Sequence, residues 1–448
     1  MGPQPVIRSP RREAGGTTAV ALRWRVITLI ALYVGFSFVV PFALNAKQSD
    51  LDLFFWPSAE LAAHGHPFME YAVRAGPYTD ANGPLSLLPL TLLVVLIDAL
   101  GWAADLQLRD AVVLAAFSGF SLLMAREGLR LVQMTSGYRS SPTVYLALCM
   151  SLPLWLALGS FGHIEIPLEL WLTLAALRLL LKRRVAAAGA LLGLVLLTRS
   201  AAVVSVLCLA LLPLLDRELP SLLRRGLRSL ALVAVAATTT IAGLLPFLVV
   251  DGHDVVTSLV TFRGTLPISG GSAWVLLARG LPWAGLIQHD DTLLFLVAAL
   301  LLVGAALWRT RSEPVDVTRA AGLLTVAACC VPLLAKTTWS YYLVEPYVFA
   351  VIWTLSQPGP SSLRRWAVPI LLSVVSVALA VTGLTTPPTT AQVGVGVAAT
   401  VLLAVAIVIV LRGVGRIREA SVPARINEPA PERRPVGAAP TAAANPRP

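Results

Sequence analysis

Apolar patterning constrains this chain more than any other feature. Long runs with almost no charge alternate with short basic connectors over most of its 448 residues. At 56% hydrophobic, 13% charged and a mean hydropathy of +0.77, a soluble protein of this size could not hide its apolar surface. Lipid must therefore be the solvent for most of it. The fold expected is an all-α polytopic membrane protein, because a helix satisfies its own backbone where no water can.

A run of about 20 residues is enough to cross the bilayer core. Trp24 to Ala46 is such a run, with Arg8, Arg11, Arg12, Arg23 and Arg25 before it or at its start. These put the N-terminal tail (1–23) in the cytoplasm and the following segment outside. The tail is polar and its basic residues lead into the run without a small-residue cleavage site, so an uncleaved first span is expected.

Pro84 to Trp102 fixes the rest of the topology. If it crossed, every later connector would change sides. The connectors at 126–139, 182–184, 217–228, 309–319 and 364–365 hold 15 arginines and lysines, against four (Arg199, Arg263, Arg279, Lys336) in the alternating set. The richer set belongs in the cytoplasm. Pro84 to Trp102 is therefore expected to dip in and return as a broken, re-entrant helix, with Pro84, Pro89 and Gly101 as its breaks.

About 12 transmembrane helices result: 24–46, 109–125, 142–159, 166–181, 185–198, 200–215, 229–250, 291–308, 320–335, 340–356, 366–384 and 391–412. Outer loops are expected at 47–108, carrying juxtamembrane helices, and at 251–290. The 413–448 tail, rich in Pro, Ala and Arg, is expected to be disordered and cytoplasmic. In this arrangement all five histidines and most carboxylates outside the tails fall on the outer face, which points to chemistry there.

The formal charge of +11 is spread over connectors, as positive-inside sorting requires, which argues against a nucleic-acid partner. Cys149, Cys208, Cys329 and Cys330 all lie in apolar runs, consistent with small buried hydrophobes. No Walker loop, dinucleotide fingerprint or zinc-type spacing occurs, so neither a cofactor nor a metal is expected.

Several residues stand out against this background. Asp50 and Asp52 follow the first span and precede Leu53, Phe54, Phe55 and Trp56, an aromatic stripe suited to the membrane interface. That context sets a carboxylate at lipid-headgroup depth; either aspartate alone also reads as a helix cap. Arg199, between two apolar segments, is either in an ion pair with Glu165 or Glu169 or clamps a lipid phosphate. Lys336 lies beside Trp339, Tyr341 and Tyr342 and reads as an anion ligand or as a membrane anchor. His163 and Glu165 either position a sugar or acceptor hydroxyl or simply end their helices. Arg263 shares the second outer loop with Ser269-Gly270-Gly271-Ser272, a weak anion-binding signal and more often a turn.

Ser49-Asp50 before an aromatic helix, then Gly65-His66-Pro67-Phe68 and Gly83-Pro84-Leu85, resembles the membrane glycosyltransferases of the C-type fold. The nearest branch is glycosyltransferase family 87, the polyprenol-phosphate-mannose-dependent mannosyltransferases of actinobacterial glycolipid synthesis. Ala188 to Leu194 ending in Thr198-Arg199 looks like a conserved helix of that family, with Arg where relatives often carry Lys. Lys336 to Pro346 resembles its late Lys, Tyr and Pro segment. Where relatives commonly carry an aspartate, this chain reads Gly162-His163-Ile164-Glu165.

The resemblance implies a plasma-membrane enzyme of a bacterial envelope with an extracytoplasmic active site. It would move a sugar, mannose by the resemblance, from a polyprenyl-phosphate donor to a lipid or glycan acceptor. Asp50 or Asp52 would be the general base. Arg199, Lys336, Arg263, His163, Glu165 and Tyr342 would hold substrate. A secondary transporter or lipid flippase is the alternative outside this class, and it predicts internal repeats and mid-membrane charges that are not evident. A polysaccharide polymerase or ligase would favour arginines in a large late outer loop, whereas here the largest outer loop comes early.

Overall fold

The computed structural model describes residues 27, 30, 31, 49–75, 78–79, 82–135, 141–218, 221–266, 268–269, 271–272, 274–275, 284–311, 315–357, 363–382 and 389–421. Except for Ile27, Ile30 and Ala31, the expected first span lies outside the described residues, as do the tails at 1–23 and 422–448.

A π-helical turn, Leu51–Phe55, opens the described chain and runs into α1 (Trp56–Ala63). A short hairpin follows, β1 (Arg74–Ala75) paired antiparallel with β2 (Tyr78–Thr79). A 3-10 turn, Pro84–Ser86, leads into α2 (Leu87–Ala99). The remaining helices are α3 (Leu106–Thr135), α4 (Ser141–Cys149), α5 (Leu152–Trp155), α6 (Glu165–Leu181), α7 (Val185–Thr198), α8 (Val203–Leu211), α9 (Leu222–Val256), α10 (Phe262–Thr265), α11 (Ala284–Thr310), α12 (Val317–Leu334), α13 (Val344–Ser356), α14 (Ala367–Thr382) and α15 (Thr390–Ser421).

The protein is an all-α membrane protein. Among the described residues, four helical stretches are long and apolar enough to cross a bilayer: Leu106–Thr135, Leu222–Thr261, Val317–Leu334 and Thr390–Val414. A fifth span results if Pro142–Cys149 and Leu152–Ser160, bent by 45°, count as one. Side chains such as Leu92, Leu222, Val249 and Val381 are more than 70% exposed. Apolar side chains turned outward on this scale mark a surface facing lipid rather than water. At the other extreme, 89% of the α12 window is buried, against 11% for the 222–261 window. Thus α12 is the hub and α9 the rim. Small residues make the hub possible, since Ala320, Ala321, Gly322, Ala327 and Ala328 let α13 and α15 approach closely.

Several expectations need correction. The Pro84 to Trp102 segment is an unbroken helix after its first turn; Pro84 opens the 3-10 turn and Pro89 falls in the first turn of α2, where a missing N–H costs little. Arg126 and Arg130 lie within α3 rather than in a connector. Their helix continues because Glu127 pairs with Arg130 and, at 2.6 Å, with Arg178 of α6. The second outer loop is largely helical where described, since α9 continues through a kink at Asp251 (φ −145°, ψ 55°) into Val256. Likewise α15 continues to Ser421, beyond the expected start of the tail. Finally, the Phe54-Phe55-Trp56 stripe is buried at 7%, 0% and 3% exposure. It packs into the protein rather than lying on the interface, and α2 covers it.

Two glycines bring the segments of the first loop onto the bundle. Gly83 donates its N–H to Thr198 O at 3.1 Å, next to a bridge between Asn82 and Arg199. A Cβ at Gly83 would lie 2.1 Å from Leu197 O. Gly162 has φ +69°, and a Cβ there would come within 2.8 Å of Leu51. Gly83→Ala should therefore push the loop off the end of α7 and destabilise the protein by about 1–3 kcal/mol. Gly119→Ala, inside α3 with open space around its Cβ, should not destabilise and should add up to about 1 kcal/mol. Thermal melting of both variants in detergent checks this; equal melting temperatures would contradict it.

Candidate functional site

Charges expelled from the lipid-facing runs collect where helices end. Asp50 sits just before the π-helical turn, and its N–H bonds to Phe161 O at 2.9 Å. That bond docks it on the turn between α5 and α6, a contact that glycine at 162 alone permits. Its carboxylate is 36% exposed and lines a cavity of about 450 Å³. The same cavity is lined by Ser49, Thr79, Asn82, Phe161, His163, Arg199, Phe262, Trp339, Tyr341 and Tyr342. Widely separated parts of the chain thus meet in one chamber, where charged and polar groups are set among apolar and aromatic walls.

The two candidate aspartates are separated by their surroundings. Asp52 is absent from the chamber lining; Arg109 binds its Oδ1 and Ser49 Oγ donates to its Oδ2 at 2.9 Å. Arg109 is itself held by Asp110 at 2.7 Å and lies over the Trp56 ring, 4.7 Å from its centroid. Asp52 is committed to structure, whereas Asp50 faces the open chamber.

Behind Asp50 lies His163, 3% exposed. Its Nε2 is 3.1 Å from Asp50 Oδ2, close enough to pair but without the alignment of a hydrogen bond. Its Nδ1 is 2.7 Å from Glu165 Oε1, and its ring lies 3.7 Å, centroid to centroid, from that of Tyr341. Burial alone would discourage a charge on His163, but Glu165 and Asp50 more than offset it and push its pKa up to about 9. Glu165 is fully buried and does not line the chamber, so it reaches the site only through His163 and Arg199.

Arg199, the expected ion pair or phosphate clamp, has features of both. Its guanidinium lies 3.9 Å from Glu165 and 4.0 Å from Glu345, both at the outer limit of an ion pair. It also lines the chamber and lies 5.7 Å from the Tyr342 ring centroid and 6.0 Å from that of Tyr341. Glu345 accepts from Ser205 Oγ at 2.5 Å, and Glu169 from Thr173 at 3.0 Å. Glu345 as a partner of Arg199 and Tyr341 as the wall of the histidine were both missed in the sequence. An ionisable residue inside an apolar helix was the available signal for Glu345.

Lys336 is not in the chamber. It lines an adjoining apolar cavity of about 310 Å³ with Leu196, Val203, Leu244, Phe295 and Thr337. Tyr342 and Leu266 line both spaces, which therefore lie side by side. The Ser269 to Ser272 turn is a structural brace for Lys336: Ser269 N–H donates to Lys336 O at 2.9 Å and Ser272 Oγ to Ala335 O at 2.8 Å. Arg263 belongs to α10, but its side chain lies outside the described residues. A larger groove of about 630 Å³, lined by Leu152, Trp366, Ile370 and Val381, is almost wholly apolar and remote from this chemistry.

Among the described residues, no group of three His, Cys, Asp or Glu side chains is arranged to hold a metal ion. All four cysteines are buried and free. A scan against protein-family models finds no match to the chain, and a search of curated proteins finds none either.

The two aspartates should differ in what they do for stability. Asp52→Asn leaves the buried Arg109 short of a counter-charge and should cost about 2 kcal/mol, seen as a melting temperature several degrees lower. Asp50→Asn removes a carboxylate that is 36% exposed and leaves His163 its pair with Glu165, so it should cost clearly less. Equal losses for both would contradict the division of roles.

Proposed function

We propose that this protein is an integral-membrane glycosyltransferase. It moves a sugar, mannose by the resemblance, from polyprenyl phosphate to a lipid or glycan acceptor in an inverting displacement. The observation that carries this reading is a pair of adjoining cavities: a chamber holding Asp50, His163 and Arg199, and a more apolar one reaching Lys336, with Tyr342 in the wall of both. A lipid-linked sugar has the same two-part character. The isoprenoid chain fits the apolar cavity and the sugar fits the chamber.

The electron and proton balance is simple. The acceptor oxygen attacks carbon one of the sugar, the bond from carbon one to the phosphate oxygen breaks, and Asp50 takes the acceptor proton. Polyprenyl phosphate leaves with its electron pair and needs no proton to do so. Arg199, with Lys336, stabilises its charge, and a guanidinium suits phosphate geometry. Arg263 belongs to the same role by its place in the chain. No nucleotide or redox cofactor enters the reaction.

The reading includes the full topology of about 12 spans in a bacterial plasma membrane, with both termini cytoplasmic and the chamber outside. Convergence of the turns near residues 49, 161, 199 and 339 at one chamber supports it, because that alternation sends all four to the same side.

Membranes carrying the full chain, given polyprenyl-phosphate-[¹⁴C]mannose, test the proposal. Wild type should transfer label to lipid or glycan, and Asp50→Asn should abolish transfer. Asp52→Asn should retain transfer in proportion to folded protein, and Arg199→Ala should lower kcat by about a hundredfold. No transfer by wild type, or transfer untouched by Asp50→Asn, would overturn the mannosyl mechanism and favour other lipid-linked donors, then a transporter.

A further inference from the structure

We propose that His163 is a positioning residue for Asp50: backed by Glu165 and walled by Tyr341, it holds the Asp50 carboxylate in the chamber ready to accept a proton. The proposal rests on the transferase reading for Asp50 and adds a role that the sequence left open between sugar binding and helix ending.

The geometry is a line of three groups. Glu165 Oε1 takes Nδ1 of His163 at 2.7 Å, and Nε2 on the far side of the ring is 3.1 Å from Asp50 Oδ2. Nε2 faces Asp50 without the alignment of a hydrogen bond, so the coupling between them is one of charge. Flanked by two carboxylates, the ring is held as a cation. Tyr341 at 3.7 Å between centroids stops it from swinging aside.

The backbone makes the same contact rigid. Asp50 N–H bonds to Phe161 O, two residues before His163, and Gly162 lets the two segments touch. Base and histidine therefore move as one unit. Glu165 is fixed from behind, because Arg199 lies 3.9 Å from the same Oε1 that His163 holds. His163 also lines the chamber but is only 3% exposed, so little of it is left to grip a substrate.

The charged and titratable groups around the ring come from every element packed on it. These are Asp50 before α1, Glu165 on α6, and Tyr341 on the 3-10 turn Ser340–Leu343. Beyond Glu165 stands Arg199, with Glu169 and Glu345 as its further counter-charges. The folded pKa of His163, about 9, lies above its ordinary 6.5. The cation's contribution is accordingly complete below about pH 6.5 and disappears as pH rises through about 9.

Two measurements on the full chain in detergent or membranes test this. The first is transfer from polyprenyl-phosphate-mannose against pH. Wild type should lose kcat on an alkaline limb near pH 9. His163→Gln should lower kcat at neutral pH by about tenfold or more, with the donor KM within about twofold, and should lose that limb. Glu165→Gln keeps the ring but removes one supporting charge, so its limb should move to lower pH.

The second measurement needs no turnover: the NMR titration of ¹³C-labelled histidine, with the His163 signal identified by its absence in His163→Gln. Its midpoint should fall in Asp50→Asn and in Glu165→Gln. A midpoint unmoved by Asp50→Asn, an alkaline limb surviving in His163→Gln, or a loss expressed in donor KM rather than kcat would each overturn the proposal. If His163→Gln does not fold, replacing the other four histidines (His64, His66, His253 and His289) one at a time assigns the remaining signal to His163, and Asp50→Asn and Glu165→Gln decide it by the same titration. Absence of transfer by the wild type would instead remove the transferase reading beneath it, whichever way the histidine titrates.

Discussion

A charge kept from water must find its counter-charge inside the protein, and in this fold that requirement is met around Arg199. The guanidinium sits at the end of α7 among Glu165, Glu169 and Glu345, drawn from α6 and α13, with the rings of Tyr341 and Tyr342 beside it. Leaving any of these groups alone in a lipid-solvated bundle would cost several kcal/mol. Their mutual need ties the ends of three helices to one point. The Asn82 to Gly83 segment then pairs with the backbone at Thr198 and Arg199 and fastens the first loop to the same place.

From that anchor the chamber follows. Glu165 shares one oxygen between Arg199 and His163, and His163 passes the constraint to Asp50. Asp52, two residues on, turns the other way and is spent on Arg109. The two carboxylates belong to the same helical opening yet have different surroundings, and only one is left facing empty space. The adjoining apolar cavity at Lys336 gives that space a greasy annex, a combination suited to a substrate with a polar head and an isoprenoid tail.

Much of this was legible in the sequence because hydropathy is a strong signal. Among the described residues the apolar runs became helices, with 185–198 and 340–356 matching closely, and Asp50, His163, Arg199 and Tyr342 were singled out before their meeting was visible. What was not legible depended on partners. Nothing local says that the Phe54 to Trp56 stripe faces inward, because an apolar side chain suits lipid and protein interior equally. The continuation of α3 past Arg126 depends on Glu127 finding Arg178 on another helix. Choosing Asp50 over Asp52 required Arg109, 57 residues further on, to be seen taking the other carboxylate.

The central claim is that the Asp50 chamber and the Lys336 cavity together hold a lipid-linked sugar. A structure of the Asp50→Asn protein bound to polyprenyl-phosphate-mannose tests it most directly. The sugar should lie beside residue 50, the phosphate near Arg199 and Tyr342, and the isoprenoid chain should lead past Lys336. Donor density instead in the apolar groove at Trp366 and Ile370, with the Asp50 chamber empty, would contradict it.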